Sequence, residues 1–139
     1  MPIPALGAAT LAAVLDAGSM EGAARALHIT PSAVSQRIRA LEDEVGRVLL
    51  VRTKPLRPTA EAHAVVRFAR QVALLEHDAA VELGQGAGPV ALPLAVNADS
   101  LATWFLAPLA RLSARHPVVF ALHHDDQDFT AGMLEDGTV

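Results

Sequence analysis

The sequence predicts an α-rich winged helix-turn-helix, followed by one long helix and then by a short α/β segment of strand, helix and strand. Three observations lead to this prediction. Apolar residues recur at helical spacing through most of residues 1–83, capping residues divide that part into separate helices, and a glycine-rich run separates it from two short apolar runs typical of strands. We therefore divide the chain into residues 1–59, 60–83, 84–89 and 90–139.

Two short helices are predicted at the start of the chain. The first covers residues 4–17, which are rich in Ala and Leu, and Gly18 follows it as a stop signal. Ser19 belongs to the residue types that cap helices, so a second helix is predicted over residues 20–27.

A third helix begins at Thr30 followed by Pro31, a capping hydroxyl before proline at the first helical position, and it ends at Gly46. One face of this helix is apolar and is predicted to be buried: Val34, Ile38, Leu41 and Val45. The opposite face is polar and is predicted to be exposed: Ser32, Ser35, Gln36 and Arg39. The second helix, a tight corner at residues 28–29 and the third helix together make a helix-turn-helix.

The polar face of the third helix carries groups that can read base edges in a major groove about 12 Å wide. Gln36 can pair with adenine through two hydrogen bonds, and Arg37 and Arg39 can reach guanine or phosphate. Ser32 and Ser35 are short enough to bring the helix backbone close to DNA. Spacing alone leaves a second interpretation open, a helical hairpin with a solvated polar face.

Phosphate contacts are predicted at two further places. Backbone amides at the start of the third helix, after Thr30 and Pro31, can hold a phosphate. Residues 48–59 are predicted to form a two-stranded wing, because an apolar run is followed by a turn proline. Three cations of this wing suit phosphates or the neighbouring minor groove: Arg52, Lys54 and Arg57.

The charge of the chain is unevenly distributed. Its formal net charge is −4, but residues 1–60 carry seven Arg or Lys and five Asp or Glu, a net charge of +2, whereas residues 61–139 carry four and ten, a net charge of −6. The predicted DNA-binding part is therefore mildly basic. The chain has no cysteine, and we find no signal peptide and no apolar stretch long enough to span a bilayer, which together indicate a cytoplasmic protein.

A long helix is predicted from Ala60 to Leu83, a rod of about 36 Å at ~1.5 Å per residue. Mostly small residues recur along it at intervals of four and three, with one acid among them, and form a coiled-coil-like seam: Ala62, Val66, Ala69, Ala73, Glu76, Ala80 and Leu83. Because a domain of this size cannot cover such a seam, we expect a homodimer formed through it. Residues 84–89 are predicted to be a flexible hinge.

The remainder is predicted to be a βαβ unit with parallel strands. The strands are expected at residues 90–96 and 118–122, and the helix between them at residues 101–115, bent or restarted at Pro108. One more short helix is expected at residues 127–135. We expect this unit to be an incomplete domain with open strand edges, and to have low stability unless a partner subunit covers it.

The run from Ser19 to Glu42 resembles the core of the LysR-type transcriptional regulators, and the similarity continues through the wing to Thr59. Three segments resemble the subgroup of that family that senses lysine and arginine and controls export of basic amino acids: Thr30-Pro31-Ser32, Leu49-Leu50-Val51-Arg52, and Asn97 to Trp104. The resemblance covers nearly the whole chain. It departs from the family where Ala62 replaces the usual glycine, and in length, since members of the family continue well beyond this point.

The resemblance implies a dimer formed through the long helix, with a tetramer possible at full length, that binds an interrupted inverted repeat in double-stranded DNA. It also implies a two-lobed effector-binding domain resembling periplasmic binding proteins, of which residues 90–139 would be the start. We expect no cofactor, metal or enzymatic activity, because no motif unites a nucleophile, a base and an orienting group. An alternative is an interaction protein that forms mixed dimers with a longer homologue and modulates it.

An effector site is predicted around Ser100, which lies where a strand ends and a helix begins, at the crevice where open α/β sheets bind ligands. Its hydroxyl and the helix amides can hold the α-carboxylate of an amino acid. The resemblance implies that this loop lines the effector site, with Asn97, Ser100 and Thr103 as candidates. The cationic end of a basic amino acid is expected to meet Asp125, Asp126 or Asp128. The plain alternative is that Ser100 only caps the helix.

Two further features of this unit, residues 123–128 and Trp104, are interpreted without a metal site or an aromatic ligand platform. Residues 123–128, with adjacent histidines and aspartates, are predicted to be a solvated loop or an acidic ligand-facing patch rather than a metal site, since their spacing matches no known ligand set. Trp104 is predicted to be a core residue rather than a platform for a ligand.

Overall fold

A computed structural model describes residues 2–86, 88–125, 130–135 and 137–139 of the chain. The chain comprises two compact units, Met1–Ala73 and Leu74–Val139. None of the helices in the described part combines the length and the apolar character that crossing a bilayer requires. The elements of the first unit, with the last helix continuing beyond it, are α1 (Ala5–Ala17), α2 (Met20–Ala26), α3 (Pro31–Val45), β1 (Leu50–Val51), β2 (Arg57–Pro58) and α4 (Ala60–Glu82).

The predicted starts and stops of the first three helices are confirmed. Gly18 and Gly46 end α1 and α3 in the left-handed conformation, both with φ of 68°, which glycine adopts without a steric penalty. Ser19 and Thr30 each accept a hydrogen bond from the amide three residues later, at 3.0 and 3.1 Å. These caps satisfy amides that have no partner within the helix.

The core of the first unit is formed by α1, α2 and α3, together with the first half of α4 and the start of β1. The predicted apolar face of α3 is buried, except that Val45 is half-buried. The two helices α1 and α3 pack closely, since a Cβ added to Gly7 would lie 3.1 Å from the Cβ of Leu41. The larger side chains with less than 2% exposure form the centre of this core: Leu11, Val14, Val34, Ile38, Leu41 and Leu49.

The first half of α4 packs into this core. Ala62, Val66 and Ala69 are 0%, 3% and 6% exposed, and Val65 is buried with them. The expectation that the domain is too small to cover the seam is therefore wrong for this half. The amphipathic pattern of the helix reflects packing against its own domain at these positions.

The second half of α4 is different. Ala73 and Glu76 are exposed, and Ala80 is half-buried. Leu83, which was predicted to be the last helical residue but follows the end of α4 at Glu82, is 73% exposed. Other large apolar side chains near the end of the helix are also exposed: Leu74, Leu75 and Val81. The part of the predicted seam that remains accessible in a single chain therefore lies beyond Ala69.

The second unit is a βαβ unit, as predicted. Its elements are β3 (Val90–Asn97), α5 (Ala98–Thr103), α6 (Leu106–Ser113), β4 (Val118–Asp125) and α7 (Thr130–Glu135). The two strands are parallel, and their register runs from Val90 opposite Val118 to Asn97 opposite Asp125. Both strands extend further than the sequence predicted, because the polar residues at their carboxyl ends continue the pairing.

The helical connection is interrupted at Trp104 and Phe105, not at Pro108 as predicted. The carbonyl of Ser100 accepts hydrogen bonds from the amides of both aromatic residues, at 3.2 and 3.0 Å, and this ends α5. Pro108 lies in the first turn of α6, where its missing N–H leaves no intrahelical bond unmade. Trp104 is 60% exposed and meets the Phe105 ring edge-on at 5.4 Å, so the prediction that it is a core residue is wrong.

The sheet of the second unit is poorly covered within this chain. Among the apolar side chains described in this unit, that of Val96 alone is buried, at 5% exposure. Large apolar side chains are exposed on α6, β4 and α7 and directly after α5: Trp104, Leu106, Leu112, Val119, Leu122 and Leu134. The expected uncovered faces are therefore present, while the low stability of this unit stays a prediction.

Residues 123–125 belong to β4 and not to a loop, which corrects the prediction of a solvated loop at these positions. Residues 126–129, which include Asp126 and Asp128, lie outside the described residues. The predicted helix at residues 127–135 is described from Thr130 onward, as α7.

Candidate nucleic-acid interface

The polar face of α3 is accessible because its apolar face is packed into the core. Ser32, Gln36 and Arg39 are exposed, and Ser35 and Arg37 are half-buried. The predicted reading residues therefore lie along one exposed side of the helix. Since Gln36 and Arg39 are three positions apart, their side chains are neighbours on the helix surface.

The start of α3 offers fewer free amides than predicted. The hydroxyl of Thr30 accepts the amide of Ala33 at 3.1 Å, and Pro31 has no N–H. The amide of Val34 bonds to the carbonyl of Thr30 at 3.1 Å. The amide of Ser32 is the remaining donor of this turn, so any phosphate held there depends on it and on the hydroxyl proton of Thr30.

The wing is a small antiparallel hairpin, as predicted, although each strand has only two residues. Leu50 pairs with Pro58 and Val51 with Arg57. Arg52, Lys54 and Arg57 are all exposed. Because no described carboxylate forms an ion pair with these three cations, they are available to an anionic partner.

An open cleft joins the reading helix to the wing. Its lining includes Ser35 of α3 together with Arg52 and Lys54 of the wing. Residues 18–21, which lead into α2 and include Glu21, also line this cleft. The sequence had assigned Gly18 to a helix stop, Ser19 to a cap and residues 20–21 to the second helix. It gave no signal that they line a cleft, because the cleft is formed by residues distant in the chain.

Glu42 in the last turn of α3 ties that helix to the wing. One carboxylate oxygen, Oε1, accepts the amides of Leu49 and Leu50 at 2.8 and 3.2 Å. The base of the wing is closed separately by Thr59, whose hydroxyl donates to the carbonyl of Val48 at 2.9 Å. The sequence did not predict the Glu42 contact, since its partners are backbone amides, which carry no residue-type signal.

The effector candidates of the second unit lie at the carboxyl ends of its two strands. Asn97 and Asp125 are register partners, and so these two positions are neighbours. Asn97 caps α5 by accepting the amide of Ser100 at 2.8 Å, whereas Thr103 donates its hydroxyl to the carbonyl of Asp99 at 2.7 Å. Ser100 is therefore a residue of the first turn and not the cap. Asp126 lies outside the described residues.

Within the ranges that the structure describes, no three side chains of the His, Cys, Asp and Glu types lie close enough to hold a metal ion.

Helices α1–α3, the sharp corner before Thr30 and the hairpin that follows α3 define a winged helix-turn-helix domain. Residues 8–63 match the family model described as "Bacterial regulatory helix-turn-helix protein, lysR family". This part of the chain is therefore similar to the helix-turn-helix domains of the lysR family.

The similarity extends beyond this domain. The chain is 47% identical over 131 residues to the HTH-type transcriptional regulator LysG of Mycobacterium tuberculosis, and the aligned part is 93% of this chain and 42% of that protein. The relatives are named transcriptional regulators and not enzymes, in agreement with the prediction. The chain spans less than half the length of these curated relatives.

Two solved structures are similar to the chain. The full-length LysG of Corynebacterium glutamicum with bound effector Arg is 39% identical, with a TM-score of 0.71, and the match covers 98% of this chain and 48% of that one. The BenM DBD in complex with catB site 1 DNA is 29% identical, with a TM-score of 0.52, and the match covers 59% of this chain and 92% of that one.

Proposed function

We propose that this chain is the DNA-binding part, and the first portion of the effector-sensing part, of a LysR-type transcriptional regulator that responds to lysine or arginine. One observation carries the DNA-binding proposal: the polar face of α3 is exposed, and Ser35 of that helix lines the same open cleft as the wing cations Arg52 and Lys54. A duplex can then meet the helix in its major groove and the wing at its backbone at the same time.

The residues divide into two roles. Gln36 and Arg39, both exposed on α3, supply base contacts, and Arg37 adds a guanine or phosphate contact from the half-buried flank. Thr30, Ser32 and Ser35 place the helix against the backbone, together with Pro31, which starts the helix. The wing residues Arg52, Lys54 and Arg57 supply phosphate contacts, which give affinity without sequence information.

The test is fluorescence anisotropy of the full chain on an AT-rich interrupted inverted repeat, titrated with salt and with unlabelled random duplex. We expect Gln36→Ala to weaken binding to this duplex while leaving binding to random duplex unchanged, because Gln36 acts on base edges. Lys54→Ala should weaken binding to both and reduce the salt slope by about one, as expected for one phosphate contact.

The matched control is Arg111→Ala, which removes the same kind of charge from an exposed position on α6, outside the proposed interface. This variant should bind like the unmodified chain. If the unmodified chain is folded and binds neither duplex, the DNA-binding proposal fails. If all variants bind equally, DNA is held by another surface.

Response to a basic amino acid is supported by the placement of Asn97 beside Asp125 at the ends of parallel strands, and by the relative solved with bound Arg. We assign Ser100 and Thr103 to recognition of the α-carboxylate of the amino acid, and Asp125 or Asp126 to recognition of its cationic end. Because residues 90–139 are expected to be an incomplete domain, the test uses a form that contains the whole effector domain. We expect arginine and lysine to raise its thermal midpoint, and citrulline, the uncharged analogue of arginine, to leave it unchanged. Equal effects of arginine and citrulline would contradict the charge-based site.

A homodimer is supported by the apolar residues that are exposed in the second half of α4 and just beyond it, with Leu75 of the helix at 68% exposure and Leu83, the residue after the helix, at 73%. The same surface favours a second candidate function, mixed dimers with a longer homologue. Co-expression of the chain with such a homologue, each carrying a different tag, tests this alternative. Recovery of both tags together supports it, and recovery of separate homodimers opposes it.

A further inference from the structure

Glu42 accepts most of the hydrogen bonds from the backbone amides of the segment that leads from α3 into the wing. The backbone carbonyl of Glu42 accepts the amides of Gly46 and Arg47, at 2.8 and 3.2 Å. Its carboxylate Oε1 accepts the amides of Leu49 and Leu50, at 2.8 and 3.2 Å. Four of the five amides at residues 46–50 therefore bond to Glu42, which is half-buried at this junction.

Apart from Glu42, the wing is fixed at its base by Thr59, whose hydroxyl donates to the carbonyl of Val48 at 2.9 Å and whose amide donates to the carbonyl of Leu49 at 3.0 Å. These bonds join the two sides of the wing to each other and not to α3. The two strands of the wing pair over two residues each, and Pro58 opposite Leu50 has no N–H to donate. Leu49 and Leu50 are buried, but apolar packing is not directional and does not by itself set the course of the backbone. A carboxylate that accepts two amides is directional and charge-assisted.

We propose that Glu42 is a positioning residue for DNA binding, which holds the wing at a fixed distance and angle from the reading helix. It touches no DNA itself. It acts through Arg52 and Lys54, because the segment that it holds leads directly into the strand before them. The helix and the wing then meet the duplex as one rigid surface. The wing cations are already positioned for their phosphates, so less conformational entropy is lost on binding. This inference rests on the proposed DNA-binding function.

Two substitutions separate geometry from charge. Glu42→Asp keeps the charge but shortens the side chain by one methylene group, so it cannot hold both amides. Glu42→Gln removes the charge but keeps an oxygen at the same reach, which can accept both amides. The matched controls are Glu44→Asp and Glu44→Gln, at an exposed position on the same helix that makes no bond to the wing.

The experiment measures the dissociation constant of the full chain for random duplex as a function of salt. We expect Glu42→Asp to weaken binding and to lower the magnitude of the salt slope by about one to two, since each lost phosphate contact contributes about 0.9. Glu42→Gln should keep the slope of the unmodified chain and match Glu44→Gln in affinity. Circular dichroism confirms that each variant is folded.

A double-mutant cycle gives the readout that a purely structural role would not change. Arg52→Ala should cost less affinity in the Glu42→Asp chain than in the unmodified chain, because the wing cation is already misplaced there. Additive losses, or a Glu42→Asp slope equal to that of the Glu44→Asp control, would overturn the inference. If Glu42→Asp does not fold, the Glu42→Gln variant provides the test. A salt slope lower in magnitude than that of the unmodified chain, in a Glu42→Gln variant shown to be folded, would also overturn the inference. Failure of the unmodified chain to bind any duplex would instead remove the proposed function.

Discussion

Asn97 at the end of β3 accepts the backbone amide of Ser100 through Oδ1, at 2.8 Å. The cap of α5 is therefore the asparagine, one residue before the helix, and not the serine that the sequence suggested. The Ser100 amide is already bonded and is not free for the carboxylate of a ligand, whereas the Ser100 hydroxyl is not needed as the cap. Any effector held here must then use the hydroxyl of Ser100 and not its amide.

This hydrogen bond predicts different results for the alanine variants of Asn97 and Ser100. Asn97→Ala should increase hydrogen exchange at the amides of α5, because loss of a capping side chain costs about 1 kcal/mol of helix stability. Ser100→Ala should leave exchange at those amides nearly unchanged. Amide exchange of the two variants, followed residue by residue, checks this. Faster exchange in Ser100→Ala than in Asn97→Ala would show that the cap is assigned to the wrong residue.

The first unit was predictable in nearly all its elements because its signals are local. Capping residues, glycine stops and the spacing of apolar residues act within one or two turns, so Thr30 and Gly46 mark the ends of α3 in the sequence as they do in the structure. The parallel strands of the second unit were also predictable, because a strand, a helix and a strand of these lengths have one common arrangement.

What the sequence could not show depends on contacts between distant residues. The bonds from Glu42 to Leu49 and Leu50 join a side chain to backbone amides, and amides are the same at every residue. The first half of the α4 seam was assigned to a partner, because periodicity shows that a face is buried but not what covers it. Trp104 was placed in the core on composition alone, although the helix ends there and leaves it 60% exposed.

The close approach of α1 and α3 predicts that Gly7 does not accept a larger residue. A Cβ at this position would lie 3.1 Å from the Leu41 Cβ and 3.2 Å from its Cδ1. Gly7→Val should therefore destabilise the first unit by about 1–3 kcal/mol through overpacking, although valine is the better helix former. Urea unfolding followed by far-ultraviolet circular dichroism measures this.

The control for this prediction is Ala9→Val, an exposed position on the same helix. It carries the propensity cost of valine, at most about 0.7 kcal/mol, without the contact to Leu41. Circular dichroism is preferred to fluorescence, because the single tryptophan, Trp104, lies in the second unit. Equal stability of the two valine variants would mean that α1 and α3 are less tightly packed than the structure indicates.

The hydroxyl of Thr30 is predicted to matter for stability as well as for DNA. Thr30→Val has nearly the same shape but cannot accept the Ala33 amide, and it should lower the free energy of unfolding by about 0.5–2 kcal/mol. Thr30→Ser retains the acceptor and should stay close to the unmodified chain. Chemical unfolding of the three chains tests this, and a valine variant as stable as the serine variant would contradict the capping role.

The ion pair between Asp16 of α1 and Arg70 of α4, at 3.2 Å, is predicted to contribute little. The Asp16 side chain is 65% exposed, so water and salt screen the attraction. Asp16→Asn should change the free energy of unfolding by no more than about 1 kcal/mol, and the difference should diminish as salt is raised. A larger loss that persists at high salt would indicate that this contact locks α4 to the domain.

The two halves of α4 are predicted to respond differently to substitution. Val66 is 3% exposed within the core, so Val66→Ala should destabilise the first unit, by about 1–3 kcal/mol for the apolar surface and the cavity that it leaves. Leu83 is 73% exposed, so Leu83→Ser should leave the stability of that unit unchanged and weaken self-association. Unfolding measurements combined with sedimentation equilibrium separate the two effects. If Leu83→Ser associates as strongly as the unmodified chain while Val66→Ala dissociates without unfolding, the dimer contact lies in the first half of the helix, and the core must open to form it.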